Sequence, residues 1–95
     1  MIHIEEAIDF VEAGLADAER EAGSYADDPH NFHARHRIAM EALAHRVIMQ
    51  FGGRISMRWD GARVRIAGIS STSTGGLGGA FHNWLTAARR KAGAA

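Results

Sequence analysis

Three histidines recur at every third position, His30, His33 and His36, and His45 follows in the same segment. Imidazoles at such spacing are candidate metal ligands, and candidate proton acceptors near neutral pH. Adjacent members can share an ion, but on a helix the three spread over roughly 120°, too wide for one tridentate site. No neighbouring cluster of Asp, Glu or Cys completes a tetrahedral zinc site, so neither a metal nor a cofactor is expected. His36 falls on an apolar face beside Leu43, where a hydrogen-bonded core histidine is the ordinary outcome. A second candidate is the run Ser70-Ser71-Thr72-Ser73-Thr74-Gly75-Gly76-Leu77-Gly78-Gly79. Hydroxyls and glycines before a helix suit an anion. The G-x-x-x-x-G-K-[ST] pattern is absent, and too few residues follow for another parallel strand. Ser73 or Thr74 is therefore expected to cap the last helix. There is no cysteine, which excludes disulfides and thiolate chemistry. No nucleophile elbow or isolated carboxylate pair is present, and the expectation is a protein that is not an enzyme.

Charge is the strongest remaining signal. Residues 1–28 hold nine of the eleven acidic residues and one basic residue, Arg20; residues 29–95 hold the other ten basic residues and only Glu41 and Asp60 as acids. The halves stand near −8 and +8 under a net charge of zero. Such sorting bears on partners more than on fold. Arginine outnumbers lysine ten to one, which suits bidentate phosphate contacts and equally suits a GC-rich genome.

These groups need elements to hold them. Ile4, Ile8, Val11, Leu15, Ala18 and Ala22 make one stripe of an amphipathic helix that stops near Gly23, with seven carboxylates and Phe10 on the remaining arc. Gly23 to Asp28 reads as a loop. Asp28-Pro29 is a helix start by N-cap and first-position rules, predicting a second helix to Phe51. Its main apolar face is Phe32, Ala39, Met40, Leu43 and Val47. Ile38, Ala42 and Met49 form another stripe, so this helix is expected to touch the first helix and something else besides. Arg54 to Ala67 reads as a β-hairpin around Asp60-Gly61. That register pairs Trp59 with Ala62, Met57 with Val64 and Ile55 with Ile66 on the inner face. It sets Arg58 opposite Arg63 on the outer face, with Arg65 beyond. Ile69 to Gly76 reads as a polar loop. Leu77, Phe81, Trp84, Leu85 and Ala88 mark a last helix, ending in Arg89, Arg90 and Lys91. The predicted fold is α+β: one compact domain over residues 1–95, order α-α-β-β-α, with a two-stranded antiparallel hairpin packed on three helices. No apolar stretch reaches the ~20 residues of a membrane span, and no signal segment is expected.

The segment Ser71–Arg90 resembles the C-terminal ends of small orphan proteins of phages and prophages in GC-rich bacteria. The resemblance implies an accessory factor in a bacterial host's cytoplasm, and one such group, the anti-CRISPR proteins, inhibits nucleic-acid-handling complexes by stoichiometric binding. It carries no functional residue over to this chain.

Two charged faces are thus the candidate partner-binding sites. One is Glu5, Glu6, Asp9, Phe10 and Glu12, a carboxylate arc around an apolar anchor. The other is Arg58, Arg63 and Arg65, a basic strip whose like charges call for a neutralising anion. The leading expectation is an interaction protein that binds a host complex handling nucleic acid. Direct nucleic-acid binding by the hairpin is the alternative. A homodimer pairing acidic helix with basic hairpin is a third, and no membrane partner is expected.

Overall fold

The computed structural model describes residues 3–26 and 28–93. Its elements are α1 (Ile4–Ala22), α2 (Phe32–Phe51), β1 (Arg54–Arg58), β2 (Gly61–Ile66), β3 (Ile69–Ser73) and α3 (Leu77–Gly93). The strands form one antiparallel sheet in the order β1-β2-β3. The predicted two-stranded hairpin in α-α-β-β-α order is thereby corrected, because the segment read as a polar loop contains a third strand. Its residues are Ile-Ser-Ser-Thr-Ser, polar at four of five positions, so no apolar alternation announced it. What makes it a strand lies elsewhere in the chain.

Ile66 pairs with Ile69 across a two-residue turn, Ala67-Gly68, both at positive φ (53° and 79°). Such turns match the right-handed twist of the strands they join. The indole Nε1 of Trp84, fully buried on α3, donates to the carbonyls of both Ile66 and Ile69 at 3.2 Å. One side chain therefore pins both ends of the turn. Ala67 occupies a left-handed conformation that costs about 1 kcal/mol or more for a residue with a Cβ. Ala67→Gly is expected to relieve part of it and raise Tm by a few degrees in a thermal melt, at roughly 4–8 °C per kcal/mol for a domain near this size.

The first hairpin is also shifted in register. Its two-residue turn is Trp59-Asp60, with Arg58 opposite Gly61, Met57 opposite Ala62 and Ile55 opposite Val64. The observed pairing is displaced from the predicted one by two positions, which moves Trp59 into the turn and leaves the other paired residues on their predicted faces but changes who faces whom. Gly61 becomes part of the strand, where a Cβ would stand 2.7 Å from the backbone oxygen of Ser73. The close approach of β3 thus explains the glycine.

Helix α3 packs over β2 and β3, and α1 packs on α3 and α2. Val64, Ile66, Phe81, Trp84, Leu43 and Val47 are fully buried in a single core. Glycines at 78 and 79 let the start of α3 run against His36 and Ser73. Because α3 covers β2 and β3 rather than β1, Met57 stays 53% exposed, and Trp59, carried into the turn, is 98% exposed. Both were predicted on the buried face. The second apolar stripe of α2 likewise finds no cover among the described residues: Ile38 and Met49 are 61% and 74% exposed.

Helix α2 begins at Phe32, three residues later than Pro29 predicted, with Asn31 as N-cap. Asp28 still organises the entry. Its carbonyl accepts the Phe32 amide at 3.0 Å, and its carboxylate accepts from Asn31 Nδ2 at 3.2 Å and from Arg35 Nη1 at 2.8 Å. Arg35 Nε also donates to the carbonyl of Ala22, so one guanidinium joins the end of α1 to the start of α2. The rest of that predicted loop includes Asp27, which lies outside the described residues. The side-chain hydrogen bond from Asn31, aided by its amide and by Arg35, holds the Asp28 carboxyl below its ordinary value of 3.8. A carboxyl whose pKa falls on folding contributes stability above its unfolded value and loses it as pH drops through the folded one. Asp28→Asn is therefore expected to lower Tm at neutral pH, the difference from the unaltered protein fading as pH falls below 3.8. Melts between neutral and acid pH check this.

Candidate nucleic-acid interface

Alternation along a strand places residues i and i+2 on one face. Arg54, Ser56 and Arg58 of β1, Gly61, Arg63 and Arg65 of β2, and Ser70 and Thr72 of β3 therefore share the face turned away from the helices. All four arginines are exposed. In register they form cross-strand rows: Arg54, Arg65 and Ser70; then Ser56, Arg63 and Thr72; then Arg58 beside Gly61. The predicted Arg58–Arg63 opposition is corrected to Arg54–Arg65, while Arg63 sits between two hydroxyls. The surface is three strands wide, about 10 Å between its outer strands. Arginine, serine and threonine side chains share it, which is a set of donors suited to phosphate oxygens.

None of these four guanidinium groups has an ion-pair or side-chain hydrogen-bond partner among the described residues, whereas Arg20, Arg35 and Arg89 each pair with a carboxylate. A trough of about 690 Å³ runs along Ser56, Arg58, Gly61, Arg63, Thr72 and Thr74, with Asp60 as a carboxylate at the turn. Arg65, also predicted for this site, lies one row beyond. Arg54 belongs to the same face and was missed as a site residue, although its i+2, i+4 spacing to Ser56 and Arg58 marks it.

The acidic residues occupy a different part of the molecule. Glu12 pairs with Arg89, and Glu19 Oε1 lies 3.1 Å from His82 Nε2. These contacts staple α1 antiparallel to α3, since 12 meets 89 and 19 meets 82. Asp17 pairs with Arg20 inside α1. Exposed Glu5, Glu6 and Asp9 stand near the start of the helix, where carboxylates also suit its dipole. Phe10 is half-buried rather than standing free in the arc, its ring edge-on to Phe51 at 5.2 Å. Helix α3 lies between α1 and the sheet, so within one chain the acidic helix meets basic residues of α3 and not the arginine face.

Among the described residues, no three His, Cys, Asp or Glu side chains are grouped to hold a metal. His36 is partly buried against Phe32, ring centroids 5.8 Å apart. Ser73 Oγ accepts the Gly75 amide at 3.0 Å, inside the turn before α3, instead of capping the helix. No helix among the described residues is long and apolar enough to cross a membrane. Compared with protein-family models, with curated proteins and with solved structures, the chain gives no match.

Proposed function

We propose that this chain is a non-enzymatic protein that binds nucleic acid directly, through the open face of its sheet. The observation that carries the reading is the set of four exposed arginines on one face of the sheet, none of them ion-paired with a carboxylate among the described residues. Like charges directly across a sheet destabilise it by a few tenths of a kcal/mol. Arg54 opposite Arg65 is such a pair, and a phosphate backbone turns that cost into attraction. Serine and threonine hydroxyls between the guanidinium groups add phosphate donors without adding charge. Helix α3 and its buried Trp84 back β2 and β3, so on binding the cost of ordering falls on the arginine side chains more than on the backbone.

The test is retention of short DNA or RNA at increasing salt. Affinity should fall linearly in log–log form, with a slope near −0.7 to −0.9 per phosphate contacted, hence about −3 for four arginines. Absence of any complex at ~50 mM salt sinks the proposal, since electrostatic binding is strongest there.

A second reading rests on Glu5, Glu6 and Asp9, which are exposed and without ion partners among the described residues. They would mimic phosphates toward the basic groove of a nucleic-acid-handling complex in a bacterial cytoplasm, as a phage-type inhibitor does. Charge reversal at those three positions separates the two. It abolishes capture of such a complex under the second reading and leaves direct nucleic-acid binding intact under the first.

A further inference from the structure

We propose that Trp59 and the cleft beside it accept an unstacked nucleobase, so that the ligand of the arginine face is a single-stranded nucleic acid; this rests on the sheet reading above. Tryptophan is highly buried on average in folded proteins, and Trp84 here is fully so. Trp59 is 98% exposed, because the register carries it into the β1–β2 turn and α3 packs mainly on β2 and β3. Met57, on the same tip, is 53% exposed. Next to them lies a cleft of about 290 Å³ lined by Met57, Arg58, Trp59, Ala62, Thr74 and Leu77.

The cleft is continuous with the basic trough, for Met57, Arg58, Gly61, Ala62 and Thr74 line both. The Trp59 indole and the Met57 thioether supply apolar surface to this cleft, and Arg58 lines both it and the trough. That juxtaposition selects a ligand with a flat π-face joined to an anionic chain. A nucleobase on its phosphodiester backbone has both features. An apolar peptide has no use for the unpaired guanidinium groups, and a duplex keeps its base faces stacked against one another. Single strands expose theirs, and stacking on an aromatic side chain is the usual way such strands are gripped alongside a basic groove.

The two tryptophans make the test direct. Trp59 is open to quenching by a bound base, and Trp84 is shielded. The full chain and its Trp59→Phe and Trp59→Ala variants are titrated with a labelled oligo(dT) of ~12 nucleotides, within the site sizes such surfaces take, and with a duplex of the same length. Binding is followed by anisotropy and by intrinsic emission. The strand should quench the emission of the unaltered protein. Trp59→Phe should lose that signal yet bind the strand nearly as well. Trp59→Ala should bind it about 5- to 150-fold more weakly, with duplex binding changed by less than about twofold, because duplex contacts are phosphate contacts. An exposed turn residue is a safe site for substitution, and unchanged melts confirm folding. If Trp59→Ala binds the strand as the unaltered protein does, or if saturating strand leaves the emission unchanged while complexes form, the base site is wrong and the arginine surface stands. If neither nucleic acid binds at ~50 mM salt, the sheet reading falls and this inference with it.

Discussion

Replacing Arg58, Arg63 and Arg65 together with Ala is expected to remove most nucleic-acid binding without unfolding the protein. All three side chains are exposed and unpaired among the described residues, so truncating them breaks no ion pair described in the structure. Relieving Arg65 of its opposition to Arg54 should even stabilise the sheet by a few tenths of a kcal/mol. The loss in binding is large because charge-assisted contacts act together. At about 1 kcal/mol for each phosphate contact, three contacts amount to a loss of roughly 150-fold. The salt slope should become shallower by two to three units, about 0.7–0.9 for each cation removed. That slope separates lost contacts from a general loss of positive charge, which Arg90→Ala in the exposed last turn of α3 controls for. Asp60→Asn should act in the opposite sense and tighten binding, since its carboxylate borders the trough. If the triple variant retains the affinity and slope of the unaltered protein, the arginine face is not the binding surface.

Trp84→Ala is expected to cost more stability than any other single truncation in the chain. The indole is fully buried in the core and also donates to Ile66 and Ile69. Removing a buried aromatic side chain costs about 3–5 kcal/mol, and two carbonyls next to a tight turn lose their donor as well. A domain of this size has roughly 5–15 kcal/mol in hand, so the variant should be unfolded or close to it at 37 °C. Trp84→Phe separates the two contributions: it keeps an aromatic body and loses the donor. It should fold with a lowered Tm, and hydrogen exchange should show faster opening across Ile66 to Ser73 than in α1. Equal protection loss everywhere would mean that Trp84 acts as bulk only and does not pin the β2–β3 turn.

The elements whose period is carried by apolar residues were legible from their spacing alone. Val11, Leu15 and Ala18 fix α1, Leu43 and Val47 fix α2, and Phe81, Trp84 and Leu85 fix α3, because a stripe at helical spacing has one low-energy use. The faces of the first hairpin were legible too, since a two-residue shift in register preserves parity. The third strand was not. Ile-Ser-Ser-Thr-Ser has the composition of a loop, and it is a strand because β2 offers an open edge, Ala67-Gly68 turns the chain and Trp84 closes the turn from α3. Site chemistry divides the same way. Strand parity puts Arg63 with Arg65 on one face of β2, and Arg58 joins them in the predicted register as in the observed one, because the two differ by an even number of positions. Tertiary packing decided the rest: the pairing of Glu12 and Glu19 with α3, the burial of Phe10 on Phe51, the Arg54–Arg65 row and the exposure of Trp59. Local sequence sets which face a side chain takes, because backbone geometry is local. What stands opposite that face depends on contacts between segments far apart in the chain, and no short-range pattern encodes them.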